Sequence, residues 1–170
     1  MLPPMDIDPS LLSADTIRPL SRKEYDRMVE LGFFDHDPHV ELLEVLARAL
    51  DDSLAVRPGL PFAASPYSEP EPDLAVVRDD PSSLAHPTEV LLLIEVSNTS
   101  LRYDRTAKLV AYAKALVPEY WVVDVNAMTV EVFTEPKGKR FLRSQLLRDG
   151  DVLRPTLLPG IAIAVADLPR

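Results

Sequence analysis

The sequence contains no cysteine, which removes disulfides, thiolate zinc sites and cysteine nucleophiles together. No apolar run approaches the roughly 18 residues that a membrane-spanning helix needs. The first ten residues, MLPPMDIDPS, have no basic stretch leading into an apolar one, so a secretory signal is not expected and a cytoplasmic location is the default. The three histidines, His36, His39 and His86, show no metal-ligand spacing. Glycine-rich phosphate loops, a Ser-His-Asp order and a dinucleotide fingerprint are all missing. So is any excess of basic charge: the net charge is −9, which argues against a dedicated nucleic-acid binder. The charge is uneven, however. Residues 1–100 hold 19 acids and 7 bases, while residues 101–170 hold 8 acids and 11 bases, and a local basic surface is what phosphates require.

What is present fits a soluble globular protein: 170 residues, 46% apolar and 26% charged, enough for one domain with a real core. Residues 1–20, with Pro3, Pro4, Pro9 and Pro19, read as a flexible arm, and residues 21–170 as a single domain. Ser21 and Glu24 form a capping box for a helix that stops at Gly32. Asp37-Pro38 starts a second helix over 38–51, with Val40, Leu43, Ala47 and Leu50 at helical spacing. A short strand at 54–57 precedes a loop over 58–72 that holds five prolines. Strands are expected at 73–78 and 89–96, then a helix at 104–116 with Leu109, Tyr112, Ala113 and Leu116 on one face. Strands at 120–125, 129–134 and 141–148 follow, and a proline-broken edge strand at 157–165. This order predicts an α/β fold with a mixed β-sheet flanked by helices.

The run Glu89 to Val96, EVLLLIEV, has the continuous apolar character of a strand buried on both faces. Glu95 lies near its end. An ionised carboxylate there needs a cation, a hydrogen-bonded partner or a metal ion, or it must take up a proton. Asp73 opens the preceding strand, and Lys108 lies one turn into the next helix. Neighbouring strands would bring the two carboxylates to one end of the sheet, where they repel unless a cation sits between them. Mg²⁺ prefers oxygen ligands of this kind. Plainer roles exist for each residue: Asp73 as a turn residue, Lys108 as an i,i+4 surface partner of Asp104. Tyr120 and Trp121 read as core aromatics and Asp124 as a turn residue. Arg102, Arg105, Lys108 and Lys114 cluster on the helix, and Lys137, Lys139, Arg140, Arg143 and Arg148 run without an intervening acid. Both groups are either solvated faces or phosphate-contacting flanks on either side of the carboxylates.

The segments SEPEPDLAVVR at 68–78, LLLIEVSNTS at 91–100, DRTAKLVAYAKALVPEYWVVDV at 104–125 and LLPG at 157–160 resemble the Uma-type restriction-endonuclease-like family, within the PD-(D/E)XK nuclease superfamily. The resemblance implies a restriction-endonuclease-like core and Mg²⁺- or Mn²⁺-dependent hydrolysis of phosphodiester bonds in nucleic acid, DNA above all. It implies that Asp73 and Glu95 hold the metal. Lys108 is then the displaced catalytic lysine, because Ser97 occupies the site two residues after the glutamate. Superfamily members sometimes supply an extra acid from the second helix, where Glu41 and Glu44 stand here, and His39 matches a recurrent family histidine. A homodimer is also implied. The chain departs from the family at two places. A strand pair expected between the first and second helices is missing after Gly32. Leu116 replaces the usual glycine before Val-Pro-Glu-Tyr-Trp, and leucine should resist a left-handed helix cap, so a different helix end is expected. The rival to the endonuclease is a catalytically silent binding or assembly domain on the same fold, supported by the acidic charge and the shortened N-terminal sheet.

Overall fold

A computed structural model describes residues 37–51, 53–59, 61–64, 70–78 and 89–169. The expected arm over 1–20, the first helix, the shortened segment after Gly32 and the loop at 79–86 lie outside the described residues.

Helix α1 (Pro38–Ala49) begins as its sequence dictates: Asp37 caps it, accepting from the His39 amide at 2.8 Å, and Pro38 occupies the first turn. The buried stripe is rotated from the expected one. Leu42 and Leu46 are fully buried, Leu43 and Leu50 pack only partly, and Ala47 faces solvent. Leu42 and Leu46 lie one turn apart on a single side of the helix, and this i,i+4 pair is the one that faces the core.

A six-stranded sheet follows, made of β1 (Ala55–Pro58), β2 (Leu74–Val77), β3 (Leu92–Ser97), β4 (Glu119–Asp124), β5 (Thr129–Lys137) and β6 (Arg140–Arg148), ordered as in the chain. Only β3 and β4 are parallel. Their connection is helical over residues 101–114: α2 (Leu101–Tyr103), a π-helical turn (Asp104–Lys108) and α3 (Leu109–Lys114). The mixed sheet flanked by helices is the architecture expected from the sequence.

Every residue of β2, β3 and β4 is buried, because both faces are covered. On one face α1 and the C-terminal segment close over Leu74, Val76, Leu92, Ile94, Trp121 and Val123. On the other, Tyr112 and Val117 pack with Phe62, Ala75, Leu93, Tyr120 and Val122. Each fully buried leucine or isoleucine contributes about 1.5–3 kcal/mol. Tyr120 and Trp121 are core residues, as their composition suggested.

The end of the chain is less regular than expected. Only Ile163–Ala164 (β8) forms a strand from the 157–165 stretch, pairing with Val152–Leu153 (β7) in a separate two-stranded ladder. Pro159 lies inside the stretch and supplies no ladder donor. Leu158, Ile163, Val165 and Leu168 nonetheless cap the α1 face. Glu119 ties the segment to the sheet: its Oε2 accepts from the Thr156 amide at 2.7 Å and its Oε1 from Trp121 Nε1 at 2.6 Å.

The helix before β4 ends in the left-handed cap that leucine was expected to resist. Leu116 has φ 57°. The Val117 amide donates to Tyr112 O at 3.1 Å and the Leu116 amide to Ala113 O at 3.2 Å, which is the Schellman pattern. Val117 and Tyr112 are both buried, and that contact holds the cap despite the side chain. No described helix is long and apolar enough to cross a membrane.

Candidate active site

Strand alternation decides which way Glu95 points. Leu92, Ile94 and Val96 face α1, so Leu93, Glu95 and Ser97 face the α3 side. Glu95 lies opposite Val122 in the parallel pair and is 1% exposed. Both of its oxygens are engaged. Tyr112 Oη donates to Oε1 at 2.8 Å, and Lys108 Nζ donates to Oε2 at 2.6 Å. Burial pushes the carboxyl up to about 7, Lys108 and Tyr112 draw it back down, and the Asp73 charge adds to the rise.

Asp73 comes to the same place through the antiparallel register. Leu74 pairs with Ile94, so one step before β2 faces one step further along β3. Asp73 Oδ2 accepts from the Val96 amide at 2.7 Å and lies 3.6 Å from His39 Nε2. Its side chain is 30% exposed, which makes it the open member of the pair. His39 is held in turn by Asp37, whose Oδ1 is 3.0 Å from its Nδ1. These contacts from His39 outweigh burial and hold the Asp37 carboxyl below its ordinary value.

Lys108 reaches Glu95 from the π-helical turn. The Leu109 amide donates to Asp104 O, the i→i−5 bond that defines the turn, and turns of this kind recur at functional sites. Besides Glu95, Lys108 Nζ donates to Glu71 O at 3.1 Å and lies 3.8 Å from Asp104 Oδ1. Asp104 is not the solvated helix residue that an i,i+4 surface pair requires. It is 1% exposed, and its Oδ2 accepts from the hydroxyls of Ser97 and Ser100, each at 2.6 Å. Tyr120 Oη donates to its backbone carbonyl at 3.2 Å. The sequence reading thus missed Asp104, Ser97 and Ser100 as members of this cluster, and took Tyr112 only as a core residue. The available signal was the Ser-x-x-x-Asp-x-x-x-Lys-x-x-x-Tyr spacing, which places the last three on one helix side.

Other expected site residues stand apart. Glu44 is exposed and pairs with Arg48 at 2.7 Å; on α1 it is His39 that approaches Asp73. Arg105 forms an ion pair with Glu131 and lies 3.9 Å from Asp124, so its charge is already engaged. Asp124 itself accepts from the amides of Asn126 and Ala127, the turn role expected of it. Arg102 and Lys114 are exposed, with Lys114 about 9 Å beyond Lys108 along the helix axis. The register also corrects the reading of Lys137, Lys139 and Arg140 as a flank of the site. Glu131 lies in the Glu95–Val122 row, and the hairpin tip is about 20 Å along the strand from it, at the opposite end of the sheet.

The arrangement joins a buried carboxyl poised near neutrality, a half-open carboxylate and an ammonium between acidic groups. No curated protein matches the chain. The crystal structure of a "putative nuclease" from Anabaena variabilis ATCC 29413 is similar at a TM-score of 0.56 and 14% identity, covering 78% of each chain. That likeness is one of fold. The family described as Uma2, "Putative restriction endonuclease", matches residues 24–166, which is most of the sequence. The chain therefore belongs to the Uma2 restriction-endonuclease-like family.

Proposed function

We propose that the protein is a divalent-metal-dependent endonuclease that hydrolyses phosphodiester bonds in DNA, with Asp73 and Glu95 as metal ligands and Lys108 as the catalytic lysine. The observation that carries this reading is a charge deficit. Glu95 and Asp104 flank the single ammonium of Lys108, and the Asp73 charge acts on Glu95 from beside it, so carboxylates outnumber the lysine where they converge. Among the described residues no three His, Asp or Glu side chains form a ready cage. Two carboxylates with the other positions left to water and substrate phosphate is the ordinary way of holding Mg²⁺, and Mn²⁺ suits the same oxygen ligands. The donor set therefore fits. A cation bound there would lower the pKa of its water and neutralise charge on the phosphate.

The chain's own groups supply the rest. The Val96 amide fixes Asp73 Oδ2, while Tyr112 fixes Glu95 Oε1. Lys108, with its side chain 16% exposed, can present an ammonium to negative charge developing on a phosphate. The exposed Arg102 and Lys114 are proposed to contact the nucleic-acid backbone, where they would position rather than specify.

A second reading, a catalytically silent binding domain, draws on one observation: Glu95 is 1% exposed and both its oxygens are hydrogen-bonded. Calorimetric titration of Mn²⁺, alone and with a short DNA duplex, separates the two. The endonuclease reading expects saturable binding to wild type, none to Asp73→Ala, and loss of duplex cleavage in a folded Glu95→Gln variant. Absence of Mn²⁺ binding under both conditions, or full cleavage by Glu95→Gln, would overturn it.

A further inference from the structure

Lys108 lies between two buried carboxylates and touches only one. Its Nζ is 2.6 Å from Glu95 Oε2 and 3.8 Å from Asp104 Oδ1. That Asp104 oxygen is buried and accepts no hydrogen bond among the described residues, although its twin takes two hydroxyls. A bare buried carboxylate oxygen is destabilising, and such groups in native proteins call for an account. We propose that Asp104 is a positioning residue for Lys108, its Oδ1 being the second acceptor to which the ammonium moves when Glu95 takes up a divalent cation. This inference rests on the reading of Asp73 and Glu95 as the cation site.

Three observations support it. Both Glu95 oxygens already accept a hydrogen bond, Oε1 from Tyr112 and Oε2 from Lys108. An oxygen shared between a cation and an ammonium would set two positive charges against each other, so Lys108 must yield. Asp104 cannot come to meet it, because Ser97, Ser100 and Tyr120 fix its side chain and carbonyl. The lysine can move, since its four-carbon stem is flexible and its head is part-exposed. Closing 3.8 Å to hydrogen-bond distance takes a shift of about 1 Å. Lys108 thus holds the Glu95 oxygen that the cation would take, and Asp104 gives it a place to go. The charged groups facing Lys108 are Glu95 and Asp104 with Asp73 behind, and the Glu71 carbonyl also accepts a hydrogen bond from its Nζ.

The test is a double-mutant cycle read by Mn²⁺ calorimetry on the full chain: wild type, Asp104→Asn, Lys108→Met and the double variant. Asparagine keeps an oxygen for both serine hydroxyls. We expect Asp104→Asn to weaken Mn²⁺ binding about tenfold, and the double variant to match Lys108→Met within about twofold, because no ammonium is left to relocate. Unchanged affinity in Asp104→Asn, or an equal loss in both backgrounds, overturns the inference while leaving the cation site standing. No binding to wild type with or without duplex removes the site and the inference with it. A crystal structure of the wild type with Mn²⁺ gives a check that needs no variant. Lys108 Nζ should lie about 3 Å from Asp104 Oδ1, and an ammonium still seated on Glu95 overturns the proposal.

Discussion

Glu95→Gln probes the electrostatics of the cluster without any substrate. Burial raises the Glu95 carboxyl from an ordinary 4.5 to about 7, the contacts from Lys108 and Tyr112 notwithstanding. The unfolded chain restores the ordinary value. Between these two pH values the folded state binds the proton more tightly, so stability falls as pH rises. Glu95's contribution is complete below about pH 4.5, is lost progressively up to about pH 7, and is level above. The span corresponds to about 3 kcal/mol. Glutamine has nearly the same shape and does not titrate. With a chelator present, urea unfolding of both proteins at pH 4.5, 6 and 8 isolates this one group, because other titrations cancel in the difference. The variant should gain about 3 kcal/mol on wild type between the lowest and highest pH. Parallel stability curves would show that Glu95 is ionised throughout and that the burial argument fails.

Two further outcomes test the frame around the site. Leu116 has φ 57° and is 65% exposed, so Leu116→Gly removes backbone strain and little packing. It should stabilise the protein by about 0.5–1 kcal/mol after glycine's larger unfolded-state entropy is subtracted, seen as a rise of a few degrees in Tm, and a lower Tm would refute the strain argument. Glu119→Ala strands the Trp121 indole and the Thr156 amide. It should cost about 3 kcal/mol and speed hydrogen exchange around Thr156, whereas a loss under about 1 kcal/mol would mean that water replaces the carboxylate.

Legibility differed with the range of the interaction. Asp37 and Pro38 announced α1 because capping and proline geometry act within one turn. The run at 89–96 announced a strand buried on both faces because continuous apolarity has few other uses. Leu116 was misread for the converse reason: the local preference was correct, but the buried Tyr112–Val117 contact overrides it. The rotation of the α1 stripe toward Leu42 and Leu46 belongs to the same class, since helical spacing alone admits neighbouring faces.

What the sequence by itself determined is therefore the local grammar: the caps and turns, the apolar strands, the order of elements, and the presence of a carboxylate too deep to stand without a partner. Only the tertiary structure decided who that partner is. Lys108 and Tyr112 reach Glu95 because the β3–β4 pairing carries residues 101–114 over the sheet. Asp73 joins them because β2 runs antiparallel to β3. Asp104 changes from a surface residue to a buried one because Ser97 and Ser100 enclose it. These are contacts between residues up to 23 positions apart, and their energies depend on burial and distance, which register and packing set and one-dimensional spacing does not.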